Sequence, residues 1–419
     1  MTDGSLVLVI DAIPWAVAHE VWGEGHLPGF SEPVPSVSVF PSFTNVAVPA
    51  LIGQILGTRP PGYEARYYHP PSGNIRGGLI TAEVDRHLAQ YRIRPVGPLG
   101  MVAGFLVPQL MARGEVLRLV NGFAKEGGHW LAYAAATDGV AHFSGRAALT
   151  AAFRNVILRI VDARRTIEAE HGTAPAVVLT SDHGMAFGPL ANVSDADVGE
   201  ALKRAGFVRE SPGPNGFFLP AMGEVAAGVC FVAPDRAVMA ARILARLHGI
   251  DVVIARRSEE SALIVRGADE ATLEWRDGRC RYLAIPADPL SYAPLLAELQ
   301  RGGAVDAQGF VDTDGLLTAS LRHDYPDALH RIRRALTDLV DFPAPVVFSM
   351  RPGFTYGPRL THVAAAILGG QVGTHGALSS EQSIGFLSVA GLPAPPPVVR
   401  AETALVPYRD LVIQGARSS

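Results

Sequence analysis

Short apolar runs that end in polar residues, set between stretches of helical periodicity, are what most limits the folds open to this chain. "LVLVIDA" (6–12), "HWLAYAAATDG" (129–139) and "AVVLTSDHGM" (176–185) each read as a buried strand running into an aspartate. Between the last two, "RAALTAAFRNVILRIVDARRTIEAEHG" sets Leu149, Phe153, Val156, Ile160 and Ile167 on roughly one face, and Gly172 is placed to stop the helix. Strands and helices in alternation predict an α/β fold with a mainly parallel sheet flanked by helices.

The texture changes after "ESPGPNGFF" (210–218). In "VVIARRSEESALIVRGADEATLEWRDGRCRYLAI" (252–285) strand-like pieces are separated by charged and glycine-bearing turns, as in a smaller α+β unit. The expected organisation is a core of residues 1–205 and 341–419 and an inserted domain of residues 206–340, the core resuming at "PAPVVFSMRPGF". A chain of 419 residues is long enough to bury a full core. The net charge of -4 supplies no general attraction for nucleic acid or an acidic membrane, so an anionic substrate must be held locally. No run of about twenty apolar residues suggests a membrane span, and "MTDGSLVLVIDAIPW" lacks the basic start and longer apolar stretch of a signal peptide, so cytoplasmic residence is expected. Cys230 and Cys280 form no CxxC pair and read as idle buried thiols. Oligomeric state is not legible here.

Open α/β sheets bind ligands at the carboxyl ends of their strands, where Asp11, Asp138 and the pair Asp182 and His183 fall. Singly, either aspartate could cap a helix or turn, and His183 could be a satisfied core histidine. Spacing adds weight: Asp138 and His142 in "DGVAH" are four apart and can meet one ion across a single helical turn. His375 lies in the glycine-flanked "GTHGALSSEQ". Carboxylates mixed with imidazoles suit zinc, with manganese or iron also fitting. A pair of divalent ions about 3.5 to 4 Å apart stabilises both the attacking and the leaving oxygen in phosphoryl displacement.

Thr44, in "VFPSFTNVAVPALIGQILG", stands where a helix should begin. Its hydroxyl could cap that helix or, beside a cation and the positive end of the helix dipole, act as a nucleophile; the two roles are compatible. Ser42, two residues before the helix, is the rival hydroxyl.

The order of "VIDA", "PSFTN", "DGVAH", "SDHGM" and "GTHGALSSEQS" resembles the alkaline phosphatase superfamily, in its nucleotide pyrophosphatase/phosphodiesterase branch, with phosphonoacetate hydrolase as a close relative. The resemblance covers residues 1 to about 205 and 341 to 419, and the insertion sits where relatives carry a cap domain. It implies an alkaline-phosphatase-like core and two divalent ions. Asp11, Thr44, Asp182 and His183 would hold one, and Asp138, His142 and His375 the other, with zinc expected. Thr44 would attack phosphorus in line and form a phospho-threonine that is then hydrolysed. All seven positions are filled. The implied substrate is a small phosphoric ester or anhydride, not a nucleic acid polymer, with Phe43, Asn45, Tyr67 and His69 expected to contact it.

Two departures bear on the substrate. "RPPGYEARYYHP" lacks the His-Gly pair and the phosphate-contacting Asn usual in relatives, leaving Tyr67, Tyr68 or His69 as replacements. Phosphonoacetate hydrolases grip the substrate carboxylate with lysines, and this chain has only Lys125 and Lys203. Phe43, Tyr67, Tyr68, Trp130 and Phe143 are candidates to stack a flat group, although most aromatic residues are core. The alternatives to a phosphodiesterase are a phosphonate C–P hydrolase, a phosphomonoesterase and a phospholigand binder without turnover.

Overall fold

The computed structural model describes residues 4–25, 27–78, 88–92, 107–209, 212–284, 286–367 and 369–418. A six-stranded sheet is built from β1 (Gly4–Ile10), β2 (Val34–Val37), β3 (Gly128–Ala134), β4 (Ala176–Thr180), β5 (Ile384–Ala390) and β6 (Val399–Arg400). Its order is β6-β2-β5-β4-β1-β3. Strand β1 pairs in parallel with both β3 and β4, and β2 in parallel with β6, while β5 runs antiparallel to both its neighbours. The expected mainly parallel α/β sheet is therefore present. Because β4, β1 and β3 are adjacent and co-directional, the three aspartate-bearing strand ends emerge side by side.

Alternation along β1 explains how both faces are covered, since successive side chains of a strand point to opposite sides. Leu6, Leu8 and Ile10 share a cluster with Leu149, Phe153, Val156, Ile160 and Ile167, the face expected from the helical spacing. Val7 and Val9 join Val48, Leu51 and Ile52 of helix α2 (Thr44–Leu56) on the other side. Helix α2 ends at Gly57, whose φ of 66° is left-handed and whose N–H bonds the Gly53 carbonyl. Helix α4 (Ala136–His171) follows α1 (Trp15–Glu24), α2 and α3 (Pro108–Glu126). It is broken at Gly145 (φ 78°, ψ -178°), a conformation open to glycine alone without strain. The break separates the turns carrying Asp138 and His142 from the long stretch read as a helix in the sequence, which ends as expected at Gly172.

A second, nine-stranded sheet holds all the named strands among the described residues of 206–340. It also takes in Val346–Met350, which lies between Ala227–Val232 and Ile250–Arg256 and runs antiparallel to both. The sequence alone places that segment in the resumed core. Sequence order carries no information on which sheet a fully buried "VVFSM" joins, because an apolar run with both faces covered suits either. One hydrophobic cluster runs from this sheet (Val229, Ile254, Phe348) to Phe40, Phe43, Val46 and Leu378 beside the strand ends of the first. The second sheet is thus packed into the base of the site. Cys230 and Cys280 are buried on it, and burial pushes both thiols up to about 12. Among the described residues no helix is long and apolar enough to cross a membrane.

Candidate metal centre

Four atoms converge where β1, β4 and α2 meet. Around His183 Nε2 lie Asp182 Oδ2 at 3.3 Å, Asp11 Oδ1 at 3.4 Å and Thr44 Oγ1 at 3.5 Å. A second group adjoins it: Asp138 Oδ1 is 3.2 Å from His142 Nε2 and 3.7 Å from His375 Nε2. The rings of His183 and His375 stack at 3.9 Å between centroids and join the groups, and Asp138 also falls within the reach of Asp11 and His183. All seven residues singled out in the sequence therefore come together, from five separate parts of the chain.

Local structure aims these side chains. His142 Nδ1 is 2.8 Å from the Gly373 carbonyl, His375 Nδ1 2.8 Å from that of Ser42, and His183 Nδ1 2.9 Å from that of Gly184. With each Nδ1–H donating to a carbonyl, each Nε2 is left facing inward as an acceptor, the orientation found in metal-ligating histidines. The glycine of "SDHGM" is required for close approach: a Cβ on Gly184 would lie 2.4 Å from the Glu381 carbonyl oxygen.

The donor set fits a cation. Asp11 Oδ1, Asp138 Oδ1 and Asp182 Oδ2 are all buried without a hydrogen-bond partner, a costly state for a carboxylate unless a positive charge is supplied. Ligand atoms about 2.0–2.2 Å from a tetrahedral zinc lie roughly 3.3–3.5 Å apart, the spacing seen around His183. Without a cation, burial and then the charges of Asp182 and Asp138 push the Asp11 carboxyl well above its ordinary range. Burial likewise raises Asp182, against the opposing pull of His183. Burial acts in the same sense on Asp138, but His142, His375 and His183 outweigh it and hold that carboxyl low. Burial disfavours charge on His142, yet Asp138 raises it on balance, whereas burial and His183 lower His375.

These directions give a pH prediction for the metal-free protein. A carboxyl with a raised folded pKa keeps a proton that the unfolded chain has released above about pH 4, so stability falls as pH rises through that interval. His142 acts in the same sense, its contribution being present below about 6.5 and lost as pH rises through its folded value. His375 acts oppositely, but only below about 6.5, and Asp138 only below about 4. From pH 6.5 to 8.5 chelated protein should therefore lose melting temperature, and the gain on adding zinc should be larger at 8.5. A gain that shrinks with pH would contradict the burial of these carboxylates.

Thr44 differs from the expected helix cap. The capping position is taken by Phe43, Thr44 is the first helical residue, and no side-chain cap hydrogen bond is made. The hydroxyl is turned to His183 instead. Ser42 is fully buried and donates to the Gln382 carbonyl at 3.3 Å, so the rival hydroxyl is engaged elsewhere.

The four residues expected to contact substrate have other partners. Asn45 Nδ2 donates to Glu64 Oε2 at 2.9 Å. Phe43 is buried against the His375–Gly376 loop, where its ring would meet a Cβ on Gly376 at 3.0 Å. Tyr67 stacks on Phe342 at 6.0 Å, and the His69 ring packs edge-on against Phe342 and bonds Ser72. Phe43 and Tyr67 are thus framework in this structure, as is Trp130, which is buried beside Phe123 near the start of β3, at the opposite end of the strand from the site. Tyr68 packs against Phe231, and Phe143 stays beside His142.

Three supporting residues escaped the sequence reading. The Tyr133 hydroxyl donates to Asp11 Oδ2. Glu115 Oε2 accepts from the Ala136 N–H at 2.9 Å, steadying the start of the helix that carries Asp138, and burial raises its carboxyl to about 7. The Gln371 amide lies 2.7 Å from His142 Nδ1 and bonds the Glu224 and Gly373 carbonyls. Only Tyr133, at the end of an aspartate-bearing strand, had a positional signal.

No family model and no curated protein sequence matches the chain. Solved structures do. Phosphonoacetate hydrolase from Sinorhizobium meliloti, in complex with phosphonoformate, superposes with a TM-score of 0.50 at 13% identity, covering 99% of this chain and 96% of that one. Human ectonucleotide pyrophosphatase/phosphodiesterase 5 gives 0.51 at 8% identity over 98% and 95%. The murine protein, as an inactive variant in complex with AMP, gives 0.51 at 9% over 99% and 96%. At these identities the likeness establishes the fold, which is the alkaline-phosphatase-like one the motifs implied.

Proposed function

We propose that this chain, sharing its fold with phosphonoacetate hydrolase and the ectonucleotide pyrophosphatase/phosphodiesterases, is a two-metal phosphoric ester hydrolase of that superfamily. Its reaction is phosphodiester or pyrophosphate cleavage of a small substrate through a phospho-threonine. The observation that carries this reading is the Thr44 hydroxyl inside the same ligand shell as Asp11, Asp182 and His183.

The Thr44 oxygen gives up its proton and forms a bond to phosphorus as the bond to the leaving oxygen breaks, that oxygen taking up a proton; water then displaces threonine, one of its protons returning to the threonine oxygen and its hydroxyl leaving with the phosphorylated product. Divalent ions, zinc by preference, would be held by Asp11, Thr44, Asp182 and His183 and by Asp138, His142 and His375; they supply charge stabilisation for attacking and leaving oxygens and lower the hydroxyl pKa. The chain itself fixes geometry. As first residue of α2, Thr44 sits at the positive end of the helix dipole, which favours an anionic oxygen and a phosphoryl group. His183, held through Nδ1, keeps its Nε2 from donating to the threonine oxygen. Residues 206–340 are assigned substrate selection, in keeping with their place beside the Thr44 loop.

Phosphonate C–P hydrolysis is the second reading, favoured by the likeness to phosphonoacetate hydrolase. Against it, Lys203 is paired with Glu200 at 2.8 Å on the exposed face of its helix, and Lys125 lies in the last turn of α3. Rates on bis-nitrophenyl phosphate, nitrophenyl phosphate, a nucleoside triphosphate and phosphonoacetate, with zinc or manganese, separate the readings. The diester or triphosphate should be cleaved fastest, and activity should vanish on chelation. Hydrolysis of phosphonoacetate alone, or no hydrolysis by zinc-loaded protein, would overturn the assignment.

A further inference from the structure

Arg331 lies in the helix Ala328–Thr337, within the insertion, and is buried to 2% exposure. Its guanidinium reaches into the site's foundations. Nη2 donates to the Val39 carbonyl at 3.3 Å, five residues before Thr44, and Nη1 to the Leu378 carbonyl at 2.9 Å, three residues after His375. Nη1 also bonds Pro326 in its own segment, and the guanidinium carbon lies 5.9 Å from the centre of the Phe40 ring. The two loops it spans are already cross-linked: Ser42 N–H donates to Gly376 O at 3.3 Å and His375 Nδ1 lies against Ser42 O. Leu378 N–H is held in turn by Ser349 Oγ, on the strand Val346–Met350.

We infer that Arg331 is a positioning residue for the metal centre, clamping the Thr44 loop to the His375 loop from the helix Ala328–Thr337 of the insertion and so setting the separation of the two ligand groups. The chemistry favours this over a general structural role. A planar fork suits two carbonyls from different loops, and an ammonium group cannot reproduce that geometry. Both remote carbonyls belong to loops that end in a site residue. Arg334, on the same helix, provides the contrast: it bonds Glu402 and Asp338 and touches neither loop. The inference rests on the two-metal reading above, and it assigns to the insertion a part in building the site as well as in selecting substrate.

The test compares wild type with Arg331→Lys, Arg331→Met and Arg334→Met, each loaded with zinc, desalted and assayed for bound metal by elemental analysis, for zinc retention against a chelator, for melting temperature and for kcat and KM. Supporting contacts of metal ligands are worth roughly 10- to 100-fold in affinity. Arg331→Lys, which keeps charge and should fold, is expected to hold its weaker ion 10- to 100-fold less tightly, with kcat lowered and KM nearly unchanged. Arg331→Met should show a larger loss where it folds. Arg334→Met should melt lower yet keep both ions and wild-type rates below its transition. Folded Arg331→Lys with wild-type zinc retention and kcat would overturn the inference, and so would equal metal loss in Arg334→Met. Wild type without bound zinc would instead overturn the two-metal reading from which the inference starts.

Discussion

Thr44→Ala is expected to abolish turnover, by on the order of 10⁴-fold or more, in a protein that folds as wild type does. The expectation follows from what the hydroxyl does and does not touch. It makes no helix-capping hydrogen bond, so the loss of about 1 kcal/mol that accompanies removal of a true N-cap should not appear. It does stand 3.5 Å from His183 Nε2, and the other nearby hydroxyl, Ser42, is committed to the Gln382 carbonyl. Among the described residues no substitute nucleophile is in place. Thr44→Ser should retain partial activity, because the oxygen is kept while the methyl group that restricts χ1 is lost. Rates with bis-nitrophenyl phosphate and a thermal melt on each variant check this. Near-normal turnover by Thr44→Ala would remove the threonine from the mechanism while leaving the metal site standing.

The two ligand groups should fail differently. Asp182 is fully buried, and its Oδ2 lies in the shell that includes Thr44. Asp182→Asn keeps the shape but replaces one anionic oxygen beside the hydroxyl, so turnover should be lost even where metal is still bound. His375 belongs with Asp138 and His142. His375→Ala should lower bound metal from about two ions toward one and leave the Ser42 carbonyl without its ring donor. Elemental analysis of desalted protein decides the matter. Unchanged stoichiometry in His375→Ala would make this histidine an ordinary loop residue, its 3.9 Å stacking on His183 a matter of packing.

Much of the site was legible because its chemistry sits at the ends of strands with strong patterns. Asp11, Asp138 and Asp182 each follow an apolar run, and Asp138 and His142 have the spacing of one helical turn, which the structure realises at 3.2 Å. His375 was different. Its loop offered only flanking glycines, and the resemblance supplied its place. The helix face from Leu149 to Ile167 was readable because an amphipathic period of 3.6 survives in any surroundings. Partner choice was not readable. Nothing local in Val346–Met350 says that it inserts between two strands more than ninety residues earlier, since long-range pairing is decided by complementarity across the sheet. The partners of Tyr67 and Asn45 were not readable for the same reason: an aromatic or amide side chain carries its type in the sequence but its partner, here Phe342 or Glu64, only in three dimensions. Thr44 failed as a cap because the helix starts one residue earlier than a capping threonine needs, a shift within the ordinary uncertainty of helix ends.

The central claim is that Thr44 takes the phosphoryl group. Zinc-loaded protein mixed with bis-nitrophenyl phosphate, quenched in acid during turnover and digested, should yield the peptide containing Thr44 with the added mass of the substrate's phosphoryl moiety, fragmentation placing it on the threonine. Chelated protein should show none. The same mass on Ser42 or on a histidine would contradict the account.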